Sequence, residues 1–119
     1  MSKNRKLQKY IQQGTTTSQE TADFFELLAG GPLDLFRAIK SHRQCAEWSQ
    51  QELAERLGIS KQAVSKFEKG ILVPSLEMVV KIADAFEVDR ETFVRLLFQE
   101  MVGRAGLDYE VHVEERKVS

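Results

Sequence analysis

Five polar side chains recur at helical spacing near the middle of the chain: Lys61, Gln62, Ser65, Lys66 and Lys69. Residues three and four positions apart share one face of a helix, so these side chains would lie together. Their ammonium, amide and hydroxyl groups donate hydrogen bonds, and the amide and hydroxyl also accept them. Such a row can bind phosphates and the edges of bases without covalent chemistry. A solvated helix face would have the same composition, so the residues that position the row must decide between the two interpretations.

Other kinds of chemistry find little support in the sequence. Cys45 is the sole cysteine, which excludes an internal disulfide and fits a reducing compartment. His42 and His112 lie far apart without a surrounding Cys, His or Asp cluster, so we expect neither a metal nor a cofactor. There is no nucleophile–base pair and no phosphate-cradling glycine loop, so we do not expect an enzyme. No apolar run approaches the ~18 residues that a membrane span needs and no signal peptide is visible, which predicts a soluble, cytoplasmic protein without membrane contact.

The formal net charge of −1 hides an uneven distribution along the chain. Residues 33–70 carry seven basic and five acidic side chains, and residues 1–19 carry four basic side chains and no acidic one. Residues 108–119 carry a net charge of −2. Attraction to DNA depends on which face holds the basic groups, so the total charge does not decide whether the chain binds nucleic acid.

Helix signals are dense in the centre of the chain. They predict five helices at about residues 32–44, 50–57 and 61–69, then one after Ser75 and one after Asp89. Ser49 and Ser60 are predicted N-caps, and Glu52 completes a capping box with Ser49. Glycines stop the second and third helices, and Gly103 and Gly106 are predicted to end the fifth. We expect the fourth helix to bury an apolar face of Leu76, Val79, Val80, Ala83 and Phe86.

The flanking segments are less regular. Residues 3–13 predict a marginal helix, and residues 18–29 predict an amphipathic one. Leu107 to Val113 alternate apolar and polar residues, which predicts one short strand or, without a partner, a tail. We therefore divide the chain into a basic arm with an accessory helix (1–31), a helical domain (32–103) and a tail or dimerisation strand (104–119).

The spacing inside the domain is specific. Leu53, Leu57, Ile59, Val64 and Phe67 can form the apolar wedge between two helices that cross at the small Ala54 and turn at Gly58. In these residues the chain closely resembles the Cro/C1-type (XRE) family of helix-turn-helix regulators, over residues 35 to about 98. The resemblance is carried by Ser49-Gln50, Glu52-Leu53-Ala54, Leu57-Gly58-Ile59-Ser60, Val64-Ser65 and Phe67-Glu68-Lys69-Gly70.

The resemblance implies an all-α, five-helix, lambda-repressor-like fold whose third helix enters the major groove. It implies that Gln50 and Lys69 bind phosphates, that Ser60 caps the third helix near the DNA backbone, and that base edges or nearby backbone face Lys61, Gln62, Ser65 and Lys66. It also implies a largely buried ion pair between Arg43 and Glu68. One position departs from the family. Glu47 stands where a glycine is usual, so the first helix is expected to run longer or its turn to differ.

The function that this resemblance favours is sequence-specific binding of double-stranded DNA by a homodimeric transcriptional repressor at an inverted-repeat operator. The fifth predicted helix carries a second apolar stripe, Val94, Phe98 and Met101, which a twin subunit could cover. The alternative is an antitoxin that represses its own operon and binds a toxin protein, since many antitoxins use the same domain.

Overall fold

Five helices form the domain in the computed structural model, which describes residues 34–116. They are α1 (Leu35–Cys45), α2 (Gln50–Leu57), α3 (Lys61–Glu68), α4 (Leu76–Ala85) and α5 (Arg90–Arg104). No strand occurs in this range, so the predicted all-α class and the five helices are confirmed. The helices predicted at residues 3–13 and 18–29 lie outside the described residues.

Each helix begins at a side chain that accepts a hydrogen bond from the first turn. The Oγ atoms of Ser49, Ser60 and Ser75 accept from the backbone N–H three residues later, as their positions predict. The capping box is complete, because the Ser49 N–H also donates to Glu52 Oε1 at 3.3 Å. α1 starts three residues later than predicted. The carboxylate of Asp34 accepts from the N–H of Arg37 and makes Asp34, rather than a residue before Pro32, the N-cap.

Each helix is followed, one or two residues after its last residue, by a residue with positive φ. In chain order these are Glu47, Gly58, Gly70, Glu87 and Gly106. At every end the N–H of the following residue donates to a carbonyl five residues back; Trp48 N–H, for example, donates to Arg43 O at 3.1 Å. Such hydrogen bonds satisfy backbone carbonyls that would otherwise lack a partner at the end of the helix. The Gly103 position lies inside α5 instead of ending it.

The unusual Glu47 therefore adopts the backbone conformation of the glycine that it replaces, with φ of 61°. α1 does not run longer, since it ends at Cys45. The left-handed conformation costs an ordinary L-residue about 1–2 kcal/mol relative to the right-handed one. The other contacts of the turn must offset that amount, and Glu87 with φ of 56° places the same demand on the end of α4.

The core lies between the helix-turn-helix pair α2–α3 and the helices α1, α4 and α5. The predicted wedge is confirmed, because Leu53, Leu57, Val64 and Phe67 are buried and Ile59 is partly buried against them. One predicted core position is wrong, because Leu76 is 43% exposed. A helical side chain covers the turn before its own Cα, and Leu76, as the first residue of α4, has no such turn beneath it.

The tail after α5 forms no strand, contrary to one of the two predictions for Leu107 to Val113. A side chain takes the place of a neighbouring strand. Gln99 Nε2 donates to Tyr109 O at 2.8 Å, and Val111 N–H donates to Gln99 Oε1 at 2.8 Å. One amide supplies only these two bonds, which is too few for a ladder. Val113 then lies beside Asp89 and Val94, so the tail runs back along α5.

An aromatic cluster closes the core where α1, α4 and α5 meet. The buried ring of His42 lies 5.0 Å from the ring of Phe93 and 5.4 Å from that of Phe86, between centroids. Its Nδ1–H donates to Ala38 O at 2.7 Å, which fixes the neutral tautomer because a carbonyl oxygen only accepts. Burial lowers the pKa of His42 to about 4, since the imidazolium ion would lose its hydration.

Acidification is therefore expected to destabilise the fold as the pH falls from about 6.5 to 4. In this window unfolded chains bind a proton at His42 and folded chains do not, so the contribution of neutral His42 is complete above pH 6.5 and is lost toward pH 4. The loss is about 3 kcal/mol. Urea unfolding at several pH values measures it. His42→Leu should flatten the dependence of the unfolding free energy on pH. His112→Ala, at an exposed histidine, is the control and should leave that dependence unchanged. Equal slopes against pH in wild type and His42→Leu would contradict the assignment.

Candidate nucleic-acid interface

The predicted row of donors lies on the outer face of α3. Lys61, Gln62, Lys66 and Lys69 are exposed and Ser65 is partly buried, while Val64 and Phe67 on the opposite side are buried in the core. The structure thus brings together all five residues that the spacing grouped. Lys69 is the C-cap residue of α3 rather than part of the helix. The apolar side anchors α3, and the polar side is left to solvent.

Ser60 is the N-cap of α3. Its Oγ accepts a hydrogen bond from the N–H of Ala63 at 3.1 Å. The N–H groups of the first helical turn have no acceptor within the helix, and together they carry partial positive charge. The beginning of α3 is therefore suited to an anion, and Lys61 and Gln62, its first two residues, are exposed there.

A bidentate ion pair joins α1 to the end of α3. Arg43 Nε donates to Glu68 Oε2 at 2.6 Å, and Arg43 Nη2 donates to Glu68 Oε1 at 3.1 Å. The side chains are only 12% and 3% exposed, respectively. The third nitrogen, Nη1, donates to Trp48 O at 2.9 Å, in the turn before α2. One guanidinium thus fixes α1, the α1–α2 turn and α3 relative to one another.

Gln50 extends this network to the first residue of α2. Its Nε2 donates to Glu68 Oε1 at 3.1 Å, and the side chain is partly buried. Sequence reasoning assigned Gln50 and Glu68 separate tasks and did not predict the contact between them. They are 18 residues apart, and no local pattern in the sequence indicates a contact at that separation.

Trp48, just before α2, contacts side chains of two other parts of the domain. Its indole stacks on Phe86 with ring centroids 5.6 Å apart, and the guanidinium carbon of Arg56 lies 4.0 Å from the indole centroid. Trp48 therefore packs at the junction of α1 and α2. A cation against an indole face is held by the ring quadrupole. Arg56 on α2 and Phe86 after α4 are thus joined through one ring.

The charges of the domain are separated along the described chain. Residues 34–70 carry a net charge of +2, whereas residues 71–116 carry −5. On α3 itself the sole acid, Glu68, is engaged by Arg43, which leaves three exposed lysines on the helix and its C-cap. The α3 face is thus positive in a domain of negative total charge. A polyanion is attracted to the exposed lysines of that face.

Two other classes of site find no support in residues 34–116. No group of three or more His, Cys, Asp or Glu side chains in that range is placed to hold a metal ion. None of the helices described there is long and apolar enough to cross a bilayer. The exposed donors of α3 and the start of α2, which Gln50 joins to Glu68, form the candidate site.

Known proteins share this central region. A helix-turn-helix family model matches residues 39–93. The chain is 40% identical over 53 residues to the uncharacterized HTH-type transcriptional regulator YgzD of Bacillus subtilis, which is 44% of this chain and 80% of that protein. It is equally identical over the same length to an uncharacterized HTH-type transcriptional regulator of Methanocaldococcus jannaschii, again covering 80% of the relative.

A characterised relative is more distant. The chain is 36% identical over 50 residues, or 42% of its length, to the cryptic phage CTXphi transcriptional repressor RstR of Vibrio cholerae, and these residues cover 45% of the repressor. The chain is also 40% identical over 53 residues to an uncharacterized HTH-type transcriptional regulator of Mycobacterium tuberculosis, and these residues cover 38% of that protein. The similarity therefore covers the helical domain and leaves the remaining parts of these two longer relatives unmatched.

Removal of Arg43 should strongly destabilise the domain. Arg43→Ala leaves the carboxylate of Glu68 buried without its cation, which is expected to lower the free energy of unfolding by about 3–5 kcal/mol. Urea denaturation followed by circular dichroism measures the change. Arg90→Ala is the matched control, because the Arg90–Asp84 pair has the same bidentate geometry but is exposed, and it should change stability little. Equal effects of the two substitutions would contradict the argument.

Proposed function

Since the chain belongs to the Cro/C1-type helix-turn-helix family of transcriptional regulators, we propose that it reads a specific sequence of duplex DNA with the outer face of α3. The observation that carries the proposal is the exposed face of α3, which holds lysines while the one acid of that helix is buried against Arg43. An α-helix fits the major groove, where each base pair presents a distinct set of donors and acceptors. The similarity to a phage repressor supports repression as the outcome.

The side chains on this face divide into two classes. Gln62 can form paired hydrogen bonds to adenine, and Lys61 or Lys66 can donate to N7 and O6 of guanine. Ser65 lies between them on the same face. Gln50 and Lys69, with the N-terminus of α3 at Ser60, instead suit phosphates, which set the register of the protein on DNA but carry no sequence information directly.

These two classes are expected to respond differently to substitution. Gln62→Ala should weaken binding to a selected site by about 1–3 kcal/mol and change binding to random DNA little. Lys69→Ala should weaken both alike and reduce the slope of log K against log salt by about 0.9 for each phosphate that the protein ceases to neutralise. Both proteins are titrated against selected and scrambled duplexes across a salt series. If Gln62→Ala weakens both duplexes equally, Gln62 is not a base reader, and a wild type without preference would contradict the proposed function.

We further propose that the regulator is a homodimer whose operator is an inverted repeat, with half-sites about one helical turn apart. Exposed apolar side chains at the end of α5 and in the tail support a twin subunit there: Met101, Leu107 and Tyr109. Val94 and Phe98 on the second stripe of α5 are only partly buried. The antitoxin alternative stays a prediction.

The tail is expected to contribute to the dimer. Truncation after Gly106 leaves α5 complete, because α5 ends at Arg104, and removes the apolar side chains of residues 107–113. Sedimentation equilibrium at micromolar concentration should give a dimer of the 13.6 kDa chain and a higher dissociation constant for the truncated one. Leu76→Ser, at an exposed apolar residue of α4, is the control that should leave association unchanged. A monomeric full-length chain at these concentrations would exclude the dimer.

A further inference from the structure

We propose that Glu68 is a positioning residue for DNA binding, which holds the Gln50 amide with one N–H ready for a phosphate oxygen. The inference rests on the proposed function and adds a role to a residue that the ion pair alone does not explain. Glu68 Oε1 accepts two hydrogen bonds of 3.1 Å, one from Arg43 Nη2 and one from Gln50 Nε2. The carboxylate therefore connects a buried cation to a partly buried amide at the start of α2.

The chemistry of the partner fixes which way the amide faces. A carboxylate only accepts hydrogen bonds, so the NH₂ group of Gln50, and not its carbonyl oxygen, must face Glu68. Nε2 carries two hydrogens, and Glu68 uses one of them. A phosphate oxygen also only accepts, so the same NH₂ group can join Glu68 and a phosphate at once. A freely turning amide would present its oxygen to the phosphate in half of its orientations.

Arg43 makes this arrangement electrostatically acceptable. A carboxylate near the DNA backbone would repel the phosphate that Gln50 is to bind, and the effect is strong where water is excluded. The guanidinium of Arg43, in bidentate contact with Glu68, neutralises that charge. Glu68 is 3% exposed, so its charge faces Arg43 and Gln50 rather than solvent. Paired with Arg43, Glu68 can therefore orient the Gln50 N–H toward a phosphate oxygen without repelling the phosphate.

The expected gain comes from ordering Gln50 before binding. Immobilising a glutamine side chain on binding has an entropic penalty, and an amide already held by Glu68 avoids most of it. We expect loss of the fixed orientation to weaken DNA binding about three- to tenfold. Glu68→Gln is the informative change, because an amide at this position can accept from or donate to Gln50 and therefore no longer selects its orientation.

The test is a double-mutant cycle in the full chain. Wild type, Glu68→Gln, Gln50→Ala and the double variant are titrated against one selected duplex, at a temperature where circular dichroism shows all four folded. If Glu68 acts through Gln50, the loss of affinity on Gln50→Ala shrinks toward onefold in the Glu68→Gln background. A cycle of Glu68→Gln with Lys61→Ala, at the other end of α3, should be additive. Additive effects for Gln50 as well would overturn the proposal.

A second readout uses the free protein. The ¹⁵N order parameter of the Gln50 NH₂ group should exceed that of the exposed Gln62 in wild type and fall toward it in Glu68→Gln, which a general loss of stability would not produce selectively. An unchanged order parameter would overturn the proposal. Should Glu68→Gln not fold, Glu68→Asp keeps the charge for Arg43 but withdraws the carboxylate by one methylene, and the same two measurements apply. A wild type that binds selected and scrambled duplexes equally would instead refute the proposed function, whereas the cycle and the order parameter test only the role of Glu68.

Discussion

The Arg43–Glu68 ion pair is the contact on which the orientation of the DNA-facing helices depends. Apolar contacts between α1 and α3 constrain how far apart the helices lie, but they tolerate rotation of one against the other. Two parallel N–H···O bonds at 2.6 and 3.1 Å constrain the rotation too. Because the third nitrogen of Arg43 holds the carbonyl of Trp48 before α2, one planar group joins the end of α1, the turn before α2 and the end of α3.

Local signals in the sequence were sufficient to predict the helices, because caps and helix ends depend on a few neighbouring residues. The serine caps of α2, α3 and α4 and the wedge around Val64 and Phe67 are found as predicted. Predictions that depended on distant partners were less successful. The alternation after Leu107 indicated a strand, but Gln99 supplies only two bonds. The contact of Gln50 with Glu68 could not be predicted, since it follows from how α2 and α3 cross.

The distribution of charge explains why the total charge was a poor guide to function. Acidic residues outnumber basic ones in residues 71–116, and they offset the lysines of α3 in the sum. Separated charge gives the domain a polarity that helps to orient it toward a polyanion as the two approach. The sign of the total charge therefore says little about the sign of the charge on one helix face.

The two glutamates with positive φ have a consequence for how the protein could be altered. Glu47 and Glu87 are exposed and occupy backbone conformations that glycine adopts without strain. Replacing each glutamate with glycine, a change of one codon, is therefore expected to remove backbone strain and stabilise the fold. Substitutions that redirect DNA specificity often destabilise their host. A laboratory evolution experiment that begins from a Glu47→Gly, Glu87→Gly background should tolerate a wider range of changes on α3, so these turns set the evolvability of the reading face.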